Sequence, residues 1–176
     1  SDSFSSMALQ CVARVSTSRV PRTVPSPAVT RSTARKPAFG AGPIDPSTLP
    51  ADPKSTLDAG ASVQIIDIDP KSPEHGKRRL AQTYWRQAEG IYWLANTTAK
   101  SSRYATIVTR GVKALDGTKI APSADLGSVL GMSAASPRTQ AARDAFASAV
   151  TEIEAAGVPR TELVHFTVFT TNDPTS

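Results

Sequence analysis

Cysteine is nearly absent from this sequence, since Cys11 is the only one among 176 residues. A single thiol cannot close an internal bridge, so a disulfide-stabilised scaffold is excluded. His75 and His165 are the only histidines and stand 90 positions apart, which excludes a Cys/His cluster with the spacing of a zinc site. Cys11 is interpreted as an unpaired thiol, with lipid attachment or metal binding as the alternatives.

Long apolar runs and nucleotide or nucleophile motifs are missing as well. No segment approaches the ~18–20 apolar residues of a membrane-spanning helix, so no membrane span is expected. The sequence contains no G-x-S-x-G nucleophile elbow, no phosphate-binding G-x-x-x-x-G-K-[ST] loop and no G-x-G-x-x-G fingerprint. The sequence therefore predicts no catalytic residues, no metal site and no cofactor on this chain.

Acidic residues are missing from residues 3–44, and this absence accounts for the whole net charge. Residues 1–44 carry six basic side chains and one acidic side chain, whereas residues 45–176 carry fourteen of each. A neutral body has no broad positive field for a phosphate backbone, so duplex DNA is not an expected partner. The Arg- and Ser-rich tail is typical of an organelle transit peptide, and a disordered linker or pro-segment is the alternative.

Three parts are predicted along the chain. Residues 1–44 form the basic Pro/Ser/Arg-rich tail, residues 45–61 a Pro- and Asp-rich connector, and residues 62–176 the folded domain. Alternating or continuous apolar residues bounded by turn signals predict the strands of this domain. The predicted strands are 62–69, 80–86, 91–95, 104–109 and 163–170, with Asp116-Gly117 as a tight hairpin turn between short segments.

A helix is predicted over residues 137–156. Ser136 is a suitable N-cap, Pro137 suits the first helical position, and Gly157 supplies the stop. Apolar residues at helical spacing give the helix one apolar stripe that must dock on a sheet. The stripe consists of Ala142, Phe146, Val150 and Ile153.

Three polar features have both a functional and a structural interpretation. Asp67 and Asp69 share a strand face and could bind Ca²⁺, but a role in strand-end solubility is favoured because a complete calcium loop is missing. The basic segment 75–79 could bind an anion, although a solvated turn is the preferred interpretation. His165 could act as a general base, but a packed strand residue is favoured, since no partner is identifiable.

Aromatic residues are concentrated in one predicted hairpin. Such rows can stack on sugars or bases, and they more often form the core and cross-strand pairs of a β-sandwich. The candidate binding residues are Tyr84, Trp85, Tyr92 and Trp93.

Five segments resemble a known family: 61–79 (ASVQIIDIDPKSPEHGKRR), 90–97 (GIYWLANT), 104–131 (YATIVTRGVKALDGTKIAPSADLGSVLG), 141–158 (AARDAFASAVTEIEAAGV) and 163–175 (LVHFTVFTTNDPT). Together they are similar to the N-terminal immunoglobulin-like region of secreted bacterial lipases and esterases of the virulence-factor lipase type. The chain departs from that pattern at residues 98–103, where family members carry a longer Pro-rich segment.

The resemblance implies an immunoglobulin-like β-sandwich, mostly β, with one long inserted helix at about 137–156. It further implies a non-catalytic accessory domain, secreted or at the cell surface, whose partner is a separate α/β-hydrolase catalytic domain. Whether the chain belongs to an enzyme is left open, because it would be at most one part of an ester hydrolase.

Two other functions stay open from the residues. One is a stand-alone structural or assembly subunit that binds other protein subunits and is anchored, or targeted to an organelle, by the basic tail. The other is a carbohydrate- or nucleic-acid-binding module that uses the hairpin aromatics.

Overall fold

A computed structural model describes residues 10–11, 44–86, 90–95 and 101–171 of the chain, and for residues 10–11, 85–86 and 90–95 it describes the backbone alone. The other residues, which include most of the predicted tail, lie outside this description. The described strands form two antiparallel sheets, and one long helix lies between the last two strands of the larger sheet along the chain. The predicted combination of antiparallel strands with one long helix is confirmed, and the overall content is mixed rather than mostly β.

The larger sheet has four strands in the order β3-β2-β6-β7. They are β2 (Val63–Asp67), β3 (Arg78–Arg79), β6 (Arg103–Thr109) and β7 (Leu163–Thr170). The three long strands confirm the predicted segments 62–69, 104–109 and 163–170. All pairings are antiparallel, and the register places Ile65 opposite Thr106 and Thr106 opposite Thr167.

The two central strands of this sheet are buried on both faces. Alternation along β2 directs Val63 and Ile65 to one core cluster and Ile66 and Ile68 to another. Since side chains alternate across a strand, a strand with apolar residues on both faces requires a covering layer on each side.

The first face is covered by two helices, α1 (Ala124–Val129) and α2 (Pro137–Ala155). Ser136 accepts a hydrogen bond from the backbone N–H of Thr139, which completes a capping box, and the α-helix ends before Gly157 at φ 89°. The predicted helix and its caps are confirmed. Ala149, Val150 and Ile153 are buried on the sheet, whereas Phe146, further toward the N-terminus, is 37% exposed.

The second face is covered by shorter segments. Residues 45–61, predicted as a connector, contribute two 3-10 turns (Pro46–Thr48 and Lys54–Leu57) and bury Leu49 and Thr56. The loop after β6 adds Val112 to the same core cluster. The predicted Asp116-Gly117 turn is present, with Gly117 at φ 79°, but it is flanked by isolated bridges rather than by two strands.

The smaller sheet has three strands in the order β1-β5-β4. They are β1 (Gln10–Cys11), β4 (Ala81–Arg86) and β5 (Gly90–Ala95). The predicted hairpin strands 80–86 and 91–95 are thereby confirmed. Only Leu80 separates β3 from β4, so the chain passes from one sheet to the other within a single residue.

Candidate functional site

The β4–β5 hairpin brings the four predicted binding positions together along the backbone. Tyr84 pairs with Tyr92 and Thr83 pairs with Trp93, while Trp85 occupies the next position on β4. Tyr84 is half-buried. The side chains of the other three aromatic residues lie outside the described part of the chain, so the binding role of this hairpin stays a prediction.

The base of this hairpin is attached to the segment that precedes β2. The hydroxyl of Thr83 donates to the carbonyl oxygen of Pro50 at 3.1 Å, and the backbone N–H of Ala81 donates to the Thr56 hydroxyl at 3.1 Å. Thr56 itself donates to the carbonyl oxygen of Pro53 at 2.6 Å. The position of the hairpin base therefore depends on residues 50–56.

Asp67 is a buried structural carboxylate at the end of β2. It is 0% exposed and accepts hydrogen bonds from the Ser72 hydroxyl at 2.8 Å and the Asp69 N–H at 3.1 Å. A guanidinium nitrogen of Arg79 lies 3.4 Å from Oδ2 of Asp67, the oxygen that also accepts from the Ser72 hydroxyl. The favoured solubility role is wrong for Asp67, because this carboxylate holds the loop between β2 and β3 closed.

A calcium site at Asp67 and Asp69 is not supported by the geometry. The Asp69 carboxylate accepts a hydrogen bond from the Lys71 N–H at 2.9 Å, within a local turn. In the part of the chain that the structure describes, no group of three His, Cys, Asp or Glu side chains is placed to hold a metal ion.

The basic segment 75–79 fastens helix α2 to the sheet. Arg78 donates to the side-chain oxygen of Gln64 at 2.7 Å and to the carbonyl oxygen of Ala156 at 2.9 Å. His75 lies 2.7 Å from a carboxylate oxygen of Glu152 on the helix. The preferred interpretation as a solvated turn fits His75, which lies exposed in a turn, and is wrong for Arg78, whose side chain is partly buried between the sheet and the helix end. The anion-site alternative is not supported, because both side chains contact protein groups.

Arg79 begins an aromatic row on the other face of the sheet. Its guanidinium carbon lies 5.9 Å from the ring centre of Tyr104, a cation–π distance, and the Tyr104 ring stacks on Phe169 with centroids 5.7 Å apart. Arg79 Nε and the Thr106 hydroxyl on this face are buried and make no hydrogen bond in the structure. Sequence reasoning missed this row because its members come from three separate strands.

His165 lies on β7, opposite Val108 of β6. Its Nε2 is 3.3 Å from the hydroxyl of Thr167 on the same strand face. Burial lowers the pKa of His165 below its ordinary value of 6.5, because an apolar environment disfavours the imidazolium form. A strand residue held neutral in this way fits the favoured interpretation as a packed histidine.

A shallow depression of about 460 Å³ lies beside the start of β2. It adjoins a smaller depression of about 200 Å³, and both are lined by Gly60, Ala61 and Gly111. A Cβ atom added to Gly111 would lie 3.1 Å from the Ser62 side chain, so a larger residue there would displace its neighbours by a few tenths of an ångström. Sequence reasoning missed these residues because their small side chains are typical of a linker.

Comparison with known proteins gives no match: no family model, no curated protein and no solved structure is similar to this chain. The resemblance to the lipase module therefore stays a prediction. Among the residues that the structure describes, no helix has the length and apolar character needed to cross a bilayer.

Asp67→Asn is expected to lower the free energy of unfolding by about 3 kcal/mol, because it leaves the guanidinium of Arg79 without its buried counter-charge. Asp69→Asn is the matched control, since Asp69 is only partly buried, and we expect a loss below about 1 kcal/mol. Urea unfolding followed by circular dichroism measures both. Equal losses in the two variants would contradict the structural role of Asp67.

The lowered pKa of His165 predicts a stability that depends on pH. Below pH 6.5 the unfolded chain binds a proton at His165 before the folded chain does. The neutral His165 therefore contributes fully to the free energy of unfolding above the unfolded-state pKa. That contribution is lost as the pH falls from there through the lower folded-state pKa. Urea unfolding at about pH 7.5 and about pH 5.5 should show a smaller decrease for His165→Gln than for the wild type. Parallel decreases would contradict the prediction.

Proposed function

We propose that this chain is a non-catalytic accessory domain of a secreted ester hydrolase, which orients a separate catalytic domain or contacts its substrate. The observation that carries this proposal is the structural use of the reactive side chains. Asp67 closes a loop, His75 holds helix α2, and His165 is kept neutral within a strand. These groups stabilise a scaffold instead of converging on one cleft.

The resemblance to the lipase module supports the choice of hydrolase. The five resembling segments contain strands β2, β3, β5, β6 and β7 and most of helix α2. In the resembling family a separate α/β-hydrolase domain supplies the nucleophile, and the substrates of the whole enzyme are lipids or other esters. A secreted or cell-surface location belongs to the same proposal.

We also propose that the two sheets pack as an immunoglobulin-like sandwich. The passage from β3 to β4 through Leu80 supports this arrangement, because strands that change sheets form the corners of sandwiches. Ala81 at the start of β4 is buried in the same cluster as Val63, Tyr104 and Val108. The second sheet would then lie over the part of the face opposite helix α2 that the segment 45–61 and the loop after β6 leave uncovered.

The sandwich predicts short distances between the two sheets. Nuclear Overhauser contacts should connect the methyl groups of Val63 and Val108 with protons of strand β5, because packed sheets lie about 10 Å apart and their side chains interdigitate. Methyl groups of Ile66 on the helix side are the control and should show none. The absence of contacts between β5 and both Val63 and Val108 would contradict the sandwich.

The accessory role predicts that the purified chain does not hydrolyse esters. Incubation with short-chain and long-chain p-nitrophenyl esters should release nitrophenol at the rate of buffer alone. His165→Gln is the matched variant, because His165 is the strand histidine for which a general-base role was considered. Turnover by the wild type that disappears in His165→Gln would overturn the proposal.

A second measurement tests whether a catalytic hydrolase domain belongs to the same native polypeptide. The intact mass of the native polypeptide should exceed that of these 176 residues. Sequencing of the native polypeptide should find a G-x-S-x-G motif in the additional residues. A native product without such a domain would move the interpretation to a structural or assembly subunit.

A further inference from the structure

The two edges of the four-stranded sheet differ in length and charge. One edge is β3, which is two residues long and consists of Arg78 and Arg79. The other edge is β7, Leu163–Thr170, which is eight residues long and pairs only with β6 in the described part of the chain. Short, charged edge strands resist pairing with other chains, whereas long regular ones invite it.

Backbone hydrogen bonds around β6 show which groups of β7 point outward. The N–H of Thr109 donates to Ser62 at 2.8 Å, and the N–H of Ile68 donates to Arg103 at 2.9 Å. Because partners alternate along an antiparallel strand, odd-numbered residues of β6 bond to β2, and even-numbered residues bond to β7.

The register with β6 then assigns the groups of β7. Residues opposite the even-numbered positions, His165, Thr167 and Phe169, use their backbone groups toward β6. The intervening Phe166 and Val168 direct their N–H and C=O groups away from the sheet, as does Thr170 at the end of the strand.

The side chains of β7 do not protect this edge. The strand reads LVHFTVFT and contains no Lys, Arg, Asp, Glu or Pro, which are the residues that usually block edge pairing. The one irregularity in the β6–β7 pairing lies between Val108 and Thr109, beside the start of β7, and the register from His165 to Thr170 is regular.

An apolar surface continues from this edge onto helix α2. Phe146 is 37% exposed and packs edge-to-face on Phe166, with ring centroids 5.4 Å apart. Ala141 and Ala145 on the same half of the helix are exposed. Small side chains there let a second helix approach closely if the sheet continues past β7.

We propose that a second copy of this chain binds along β7, so that two sheets join antiparallel into one across a two-fold axis. Centred on Thr167, the two strands pair Phe166 of each copy with Val168 of the other, and both residues offer outward backbone groups. This pairing sets apolar side chains opposite apolar ones and places no like charges together. Because β7 carries no Lys, Arg, Asp or Glu and its apolar residues face each other across the two-fold axis, the strand is complementary to a second copy of itself.

Amide hydrogen exchange, read by NMR at several protein concentrations, tests the proposal directly. The amides of Thr167 and Phe169 should exchange slowly at every concentration, because they bond to β6. The amides of Phe166 and Val168 should exchange fast in dilute protein and at least about tenfold more slowly in concentrated protein. Sedimentation velocity on the same samples should show a mass rising toward twice that of the chain.

Val168→Pro is the matched disruption. Proline removes an outward N–H and leaves the bonds to β6 in place, so the fold should persist by circular dichroism while the dimer dissociation constant rises at least about tenfold. Val168→Ile keeps the N–H, the β-branched shape and the apolar character, and its dissociation constant should stay within about threefold of the wild type.

The other outcomes overturn the proposal. Fast exchange of Phe166 and Val168 at all concentrations in a monomer would show that the edge stays open. Slow exchange at all concentrations in a monomer would show that another segment of the same chain covers it. A dimer in which these two amides still exchange fast would assign the contact to a different surface. If Val168→Pro does not fold, the exchange measurement on the wild type decides alone.

Discussion

Burial of the β2–β6 strand pair on both faces is the constraint on which the rest of the structure depends. Val63, Ile65, Ile66 and Ile107 are all fully buried, although they point alternately to opposite sides of the sheet. Helices α1 and α2 cover one side. The other side is covered by several short segments, which explains why residues 45–61 fold onto the domain instead of leaving it as an extended connector.

Two polar residues on β2 add a second requirement, because a buried polar group needs a hydrogen-bonding partner. Gln64 and Asp67 are both within 1% of complete burial. The two-residue strand β3 satisfies both, since consecutive residues of a strand point to opposite faces: Arg78 reaches Gln64 on the helix side and Arg79 reaches Asp67 on the other side. Arg78 also donates to Ala156 at the end of helix α2, and the Thr56 hydroxyl of the other layer donates to the carbonyl oxygen of Arg79 at 3.3 Å, so this short strand contacts both covering layers.

Local chemistry explains what could be predicted from the sequence. Continuous apolar residues identified β2, alternation identified β6 and β7, and the Ser136 cap with Gly157 identified the ends of α2, because these signals lie within a few residues of the elements that they define. Aromatic residues on both sides of Glu89-Gly90 predicted the hairpin strands, and pairing of Tyr84 with Tyr92 places the candidate binding positions on neighbouring strands.

The features that were missed depend on distant partners. Arg78 contacts Ala156, 78 positions away, and nothing in a run of basic residues indicates that it fastens a helix end. Thr56 supports Ala81 from 25 positions away. The composition of residues 45–61, rich in Pro and Asp, is typical of a linker. Their packing onto the domain follows only from the face of the sheet that the helices leave open.

The attachment of helix α2 is uneven, and this determines where the molecule can accept a partner. Its C-terminal end is held by the carbonyl contact of Ala156 with Arg78 and by the pair of Glu152 with His75. Its N-terminal half is held by Arg143, whose guanidinium donates to the Ser133 carbonyl oxygen at 2.8 Å, outside the sheet. The helix thus binds the β3 edge firmly and leaves apolar surface at the β7 edge. Because β3 already uses its two arginines within the domain, β7 is, among the residues that the structure describes, the long edge strand of this sheet with no second neighbouring strand.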